Sequence, residues 1–443
     1  MSASGPPARS TAFAFWLKLG FISFGGPAGQ IAIMHRELVE ERRWISEKRF
    51  LHALNYCMVL PGPEAQQLAT YIGWLMHGSV GGIVAGALFV LPSFFLLVAL
   101  SWLYVSYAAS PLLSGVLASI KPAVVAIIFF AAWRIGSRTL KTTGLMGIAA
   151  GALVAFSLLQ IPFPVILLAA AILGFLGARH LPATFASTAH PGGSAGRHEA
   201  SWIDDKTTTP DHARFRWTRL AWTLVLTAGL TAIVLFAISA AGGGPLADMA
   251  RFFTQAALLT FGGAYAVLPY VYQGAVEQFH WLSAGQMMDG LALGETTPGP
   301  LIMVVTFVGF LGGWSHALAG PDPPLAYAIA AAGVATFFTF LPSFLFILVG
   351  GPLVEATRQS SSLAAPLTAI TAAVVGVIVN LGLFLAWKVW WPLAGASAPF
   401  SGFDAPAFGI TLAALLLLVR RTVGVIGVIG LAAVLRAARS VLA

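Results

Sequence analysis

The sequence predicts an all-α polytopic membrane protein built from two homologous, inverted-topology repeats with broken or re-entrant helices. Three observations carry that prediction. Hydrophobic residues make up 58% of the 443-residue chain and charged residues only 9%, whereas an ordinary soluble domain carries roughly 25% charged residues. Nine apolar runs approach or exceed the roughly 20 residues that a membrane helix needs. A set of short motifs occurs twice in one register.

Taken in order, residues 1–10 are a polar, Pro-rich tail. No small-residue cleavage site follows the first apolar stretch, so the N-terminus is expected to be retained. The first repeat is read over 11–178. Its opening region, 11–78, is apolar but interrupted by Gly and Pro, and runs at about 80–105, 115–137, 144–160 and 162–178 follow. Residues 179–217, with Pro182, Pro191, Pro210, Gly192, Gly193 and the pair Asp204 and Asp205, form a polar linker that is expected to be mobile. One apolar helix, 218–241, precedes the second repeat, 249–439. That repeat starts with a second interrupted region, 249–315, followed by runs at about 325–351, 366–391, 406–420 and 422–437.

The duplication is explicit. Phe24-Gly25-Gly26 recurs as Phe261-Gly262-Gly263, Trp44 as Trp281 and Pro61-Gly62-Pro63 as Pro298-Gly299-Pro300, each displaced by 237 residues. Leu91-Pro92-Ser93-Phe94 recurs as Leu341-Pro342-Ser343-Phe344 at a displacement of 250, and an insert around Gly320 to Pro324 accounts for the difference. The charges differ between the copies. Arg36, Arg42, Arg43, Lys48 and Arg49 have no Lys or Arg counterpart over 272–286, while Arg358, Arg420 and Arg421 face uncharged positions in the first half. Positive charge collects on the cytoplasmic side, so equivalent loops are expected on opposite sides, and 218–241 is the odd span that inverts the second repeat. Arg436 and Arg439 weigh against this. Each half then crosses an even number of times, which gives about nine full spans plus re-entrant hairpins. The alternative is 13 spans arranged 6+1+6.

Several function classes fall away. The net charge of +8 is spread between apolar runs rather than gathered in one patch, so nucleic acid is not an expected partner; the lipid bilayer is. Cys57 is the lone cysteine and reads as a buried small residue. The nine histidines form no ligand pair and no P-loop occurs, so neither a metal, a cofactor nor ATP hydrolysis by that route is expected. No catalytic set is found, and the chain is not read as an enzyme. Transport would draw on ion gradients or membrane potential.

The two Pro-Gly-Pro breaks mark the expected site. Proline cannot continue a helix, and free backbone groups at membrane depth are tolerated only against protein or a water-filled cavity. A new helix is expected to begin after each break, at Glu64 and at Leu301, and its positive end favours an anion. Two such ends could cradle one tetrahedral dianion, so Pro61, Gly62, Pro63, Pro298, Gly299 and Pro300 are pathway candidates; kinks that serve packing alone are the alternative. Gly25, Gly26, Gly262 and Gly263 permit close backbone approach or positive φ, or else tight helix packing. Glu64 and Glu295 are proton-coupling candidates, a protonated carboxyl being compatible with a neighbouring anion, and a helix cap is the alternative for Glu64. Lys121, whose repeat counterpart is Thr371, could offer positive charge or snorkel. Asn55, Gln66, Gln67, Thr296 and Thr297 flank the breaks and can bond an oxyanion or satisfy loose backbone. Arg36, Arg42 and Arg43 anchor the interface or attract the anion to the cytoplasmic mouth.

Phe24-Gly25-Gly26-Pro27, Arg36-Glu37 followed by Arg42-Arg43-Trp44, and Leu60-Pro61-Gly62-Pro63-Glu64-Ala65-Gln66-Gln67 resemble the chromate ion transporter family in its long, two-domain form. So do the stretch from Phe261 to Pro269 and Glu295-Thr296-Thr297-Pro298-Gly299-Pro300-Leu301. The resemblance covers nearly the whole chain, leaving out the tail and the linker. It implies a bacterial cytoplasmic (inner) membrane protein, a secondary active transporter that exports chromate and confers resistance, with sulfate as a competing analogue. It also implies relatives whose halves are separate chains that work together. Another oxyanion such as sulfate, or an anion channel, is the alternative reading. A membrane-embedded enzyme using Glu64 and Glu295 as acid and base would need a nucleophile or metal that the sequence does not offer. One chain holds a complete site, and a homodimer stays open.

Overall fold

A computed structural model describes residues 7–24, 26–107, 110–180, 201–204, 212, 215–240, 242–318, 324–356, 364–393 and 402–442. Gly25, the start of the tail, most of the 179–217 linker and residues 319–323 of the insert lie outside the described residues. The described chain is helical, with sixteen α-helices and a single isolated β-bridge.

The first half contains α1 (Arg9–Ile22), α2 (Gly26–His35) extended by a π-helical turn (Arg36–Glu41), α3 (Glu47–Val59), α4 (Glu64–Tyr107), α5 (Pro111–Thr139), α6 (Thr143–Ser157) and α7 (Phe163–His180). After α8 (Trp217–Ala240) come α9 (Pro245–Leu258), α10 (Ala264–Tyr272) with its own π-helical turn (Gln273–Gln278), α11 (Ala284–Thr296) and α12 (Val304–Leu318). Then follow α13 (Pro324–Ala356), α14 (Ala364–Trp390), α15 (Ala405–Val419) and α16 (Val425–Leu442). The π-helical turns, α3 and α11 match residue for residue at the displacement of 237. The backbone matches too. Ser46 and Ser283 cap α3 and α11, and Gly26 with Gly263, Arg43 with His280, and Gly62 with Gly299 all take positive φ.

Of the nine runs expected to span, those in α4, α5, α8, α13 and α14 are long and apolar enough to cross a membrane. α6 and α15 have 15 residues each, and at 1.5 Å per residue such a helix rises about 22 Å against a hydrocarbon core of about 30 Å.

α4 is a hairpin. At His77 and Gly78 the backbone leaves helical geometry, with φ of +69° at Gly78, and the limbs 64–76 and 79–107 fold back on each other. A methyl group on Gly73 would lie 2.5 Å from Ala85 Cβ, although the two residues would be about 18 Å apart in an unbroken helix. Glycine is needed there because the limbs touch backbone to backbone. The same hairpin recurs between α12 and α13, where Gly309 packs on Ala335 and the Thr306 and Thr336 hydroxyls bond at 2.8 Å.

The halves then exchange their long limbs. Val90, Leu97 and Tyr104, from the second limb of α4, lie in the core built mainly by α9–α14. Ile347 of α13 lies in the core of α1, α3 and the first limb of α4, among Trp16, Phe50, Tyr71 and Trp74. The exchanged limbs run antiparallel, since Phe344 lies against Gly86 while Gly351 lies against the Trp74 indole beside Gly82. α8 stands apart. Only 6% of its apolar window is buried, and Trp217, Trp222 and Phe236 face outward, which is the condition of a helix solvated by lipid.

The described pieces of the linker are docked rather than mobile. Ile203 is buried and forms a parallel bridge with Ile45, and the Ile203 and Trp202 amides donate to Trp44 O at 3.1 Å and Arg43 O at 3.2 Å. The His212 ring bonds the Leu75 carbonyl at 3.2 Å and meets the Trp74 indole edge-on beside the α4 hairpin turn. Composition hid this, because two apolar side chains, Trp202 and Ile203, are enough to anchor a polar segment.

Candidate functional site

The two Pro-Gly-Pro breaks meet where the halves interlock. The Gly62 amide donates to Thr260 O at 2.7 Å and the Gly299 amide to Ser23 O at 2.8 Å. Ser23 and Thr260, which close α1 and α9, are themselves equivalent under the repeat. Each break is therefore bonded to the opposite half. Positive φ, +125° at Gly62 and +105° at Gly299, requires glycine at both. A methyl group at Gly62 would overlap Ser343 Oγ, and one at Gly299 would lie 2.6 Å from Ser93 Cβ. The Leu-Pro-Ser-Phe repeats thus bring a serine from each half against the break of the other.

Three buried glutamines line this crossing. Gln30 Nε2 donates to Gly299 O at 2.5 Å, Gln67 Nε2 to Pro61 O at 2.8 Å and Ser343 Oγ at 3.3 Å, and Gln66 Nε2 to Thr70 Oγ1 at 3.0 Å. Their Oε1 atoms and Ser93 Oγ are buried without a hydrogen-bond partner among the described residues. Buried polar atoms are ordinarily paired, so four orphans at one place mark a spot built for water or a polar solute. The lining is one-sided: the repeat counterparts of Gln30, Gln66 and Gln67 are Val267, Met303 and Val304.

Each carboxylate reaches a residue at the start of α10. A methyl group on Gly263 would lie 3.9 Å from Glu64 Oε1, and Tyr265 Oη donates to Glu295 Oε1 at 2.7 Å. Glu64 begins α4, as expected from the sequence. The second break departs from expectation: a 3₁₀ turn (Leu301–Met303) follows it, closed by Met303 N–H donating to Pro300 O at 2.9 Å, and α12 starts at Val304. The positive end of an α-helix is thus presented after one break and not after the other.

The remaining candidates scatter. A methyl group on Gly262 would lie 3.3 Å from Thr371, whereas one on Gly26 would meet nothing within 4 Å among the described residues. Thr296 and Thr297 donate to Leu293 O and Gly294 O, closing their own helix end. Asn55 is exposed on α3. Lys121 faces Asp289 of α11 at 3.7 Å. Arg36 pairs with Glu41 on the surface at 3.4 Å. Arg42 donates to Glu37 at 3.1 Å and lies over the rings of Phe15 and Trp44, and the Arg43 carbonyl holds the linker. Among the described residues no group of three or more His, Cys, Asp or Glu could hold a metal ion. Sequence reading passed over Gln30, Ser93, Ser343, Asp289 and the buried Arg49–Glu355 pair. Asp289 was within reach of it, as an acid flanked by Met287, Met288 and Leu291.

The chromate transporter family profile matches residues 10–175 and 247–437, so it covers both repeats. A probable chromate transport protein of Synechococcus elongatus is 31% identical over 403 residues, 91% of this chain and 88% of that protein. A chromate transport protein of Pseudomonas aeruginosa is 34% identical over 382 residues, 83% of this chain and 78% of that protein. An uncharacterized transporter of Bacillus subtilis is 29% identical over 123 residues, 28% of this chain and 69% of that protein. No solved structure matches.

Proposed function

The chain belongs to the chromate transporter family, and from that premise we propose that it exports chromate across the cytoplasmic membrane as a secondary active transporter, conferring chromate resistance. The observation that carries this reading is the crossing itself: two helix breaks, each bonded to the opposite half, enclose four buried polar atoms without partners among the described residues. A tetrahedral oxyanion at that point would meet the Ser93 hydroxyl and the first amides of α4, which have no partner within their own helix. Turning the Gln66 or Gln67 amide about its last bond replaces an acceptor by two N–H donors. The inverted arrangement of the repeats, 11–178 and 249–439, belongs to the same proposal, and the antiparallel course of the long limbs favours it. Glu64 and Glu295 are the proton-coupling carboxylates, since both reach the turn beside the crossing.

The test is uptake of labelled chromate by everted vesicles from cells making this chain. Accumulation that collapses with the proton gradient, and that falls at least about tenfold in the Glu64→Gln/Glu295→Gln variant, is the expected result. No accumulation above empty vesicles overturns the substrate. Accumulation insensitive to both changes removes the two carboxylates from coupling. Excess sulfate separates the alternatives: if it abolishes uptake and is itself accumulated faster, the site is a sulfate site that tolerates chromate.

A further inference from the structure

Two ion pairs, one buried and one partly so, flank the crossing, apart from the glutamines and carboxylates that line it. Arg49, at the start of α3, donates to Glu355 Oε2 at 2.7 Å near the end of α13, and Tyr71 Oη donates to Glu355 Oε1 at 2.6 Å. The two charged side chains are 4% and 2% exposed. On the other side, Asp289 of α11 accepts from Tyr104 Oη at 3.0 Å near the end of α4 and faces Lys121 of α5 at 3.7 Å, with exposures of 7% for Asp289 and 30% for Lys121. Each cluster joins the third helix of one repeat to the far end of the other repeat's long helix. Each consists of a cation, a carboxylate and a tyrosine.

Their placement follows from chain geometry. The break that follows α3 touches α13 at Gly62 and Ser343, and α3 itself touches it at Arg49 and Glu355, roughly 18 Å farther along α13 at 1.5 Å per residue. α4 meets the break after α11 at Ser93 and Gly299 and α11 itself at Tyr104 and Asp289, over roughly 15 Å. The long limbs of α4 and α13 are antiparallel, so the two clusters lie at opposite ends of the molecule with the crossing between them. Both are closed here.

We propose that Arg49–Glu355–Tyr71 and Lys121–Asp289–Tyr104 are the two gates of the pathway and open alternately. An isolated buried charge is costly, and an arriving oxyanion supplies the counter-charge that Arg49 or Lys121 loses when its carboxylate withdraws. An anion thereby opens a gate more readily than water does. The Lys121 gate is the looser, its ions being farther apart and its lysine partly exposed. The proposal rests on the transport reading, but its test measures access and needs no chromate.

The reporter is already in the chain. Cys57, the lone cysteine, is buried on α3 between Arg49 and the first break. Its repeat counterpart is Gly294, where a Cβ would have no neighbour closer than 3.6 Å, so G294C in a C57S background reports on the other end. The protein in liposomes is treated with a small maleimide. The Arg49→Ala/Glu355→Ala variant, which removes the pair and leaves its space unfilled, is expected to raise the rate of Cys57 labelling about tenfold and to lower labelling of G294C, because opening one end closes the other. Asp289→Asn should do the reverse, and the charge exchange Arg49→Glu/Glu355→Arg should return Cys57 to its wild-type rate. If the double variant does not elute as a monodisperse protein, Tyr71→Phe, which removes a single hydrogen bond, gives the same direction at smaller size. Unchanged Cys57 labelling in folded variants, or both variants moving the same reporter in the same direction, overturns the gates. Labelling as expected with no chromate uptake leaves the gates standing and removes the substrate.

Discussion

At the residue scale the crossing is a matter of missing atoms. Gly62 and Gly299 hold positive φ and sit against Ser343 and Ser93, so an added methyl strains the backbone and collides with the opposite half. Gly62→Ala is expected to cost about 1–3 kcal/mol and to lower chromate uptake severalfold. Ser343→Gly in the same chain should recover the share due to collision with Ser343 and neither the share due to Gln67, 2.7 Å from that methyl group, nor the share due to φ, so the rescue is partial. The Pro-Gly-Pro breaks and the Gly-Gly pairs were legible in the sequence because proline and glycine act through their own backbone. Ser93 and Ser343 were visible as repeated letters, but a repeat does not say which copy faces which. Arg49 was hidden among interfacial neighbours, Lys48 and Arg43, since a count of charges cannot separate a buried cation from an exposed one.

At the scale of elements, a buried carboxylate ties α1 to the π-helical turn that follows α2. Lys18 Nζ donates to Glu37 Oε1 at 3.2 Å and Arg42 Nε to Oε2 at 3.1 Å. Burial works to raise the Glu37 carboxyl, but the two cations prevail and hold it below its ordinary value. The stabilisation is therefore full above the unfolded carboxylate value near 4.3 and is lost as pH falls through the lower folded value. Thermal unfolding of wild type and Glu37→Gln should differ at pH 7 and converge as the pH is taken down through about 4; a gap that stays constant would remove the clamp. Helix positions were largely legible, because apolar runs with Gly and Pro punctuation define them. The α4 turn was not. Gly78-Ser79-Val80-Gly81-Gly82 reads as a dip in an apolar stretch, and what makes it a reversal is the contact of Gly73 with Ala85, which no local pattern encodes.

For the whole molecule, each half supplies its long limb to the other half's core and a serine to the other half's break. Residues 1–216 and 217–443 made as separate chains should each be inactive, and chromate uptake should return when both are made in one cell. Activity of either half alone would contradict the interlock. The duplication was fully legible from matched motifs, and the charge asymmetry pointed to inversion. The exchange of limbs was beyond reach, because it is a relation between halves and neither half's sequence contains it.

That exchange also sets a timetable. Arg49 and Glu355 are 306 residues apart, Gln67 and Ser343 276, and Gln30 and Gly299 269. At a synthesis rate of about 5–20 residues per second, the first half waits about 15–60 s in the membrane with an unpaired arginine and an unsupported break before its partners exist. During that wait the newborn chain is a half-dressed intermediate, and whatever shelters Arg49 then, whether water at the interface, a lipid headgroup or an insertion factor, must later release it to Glu355.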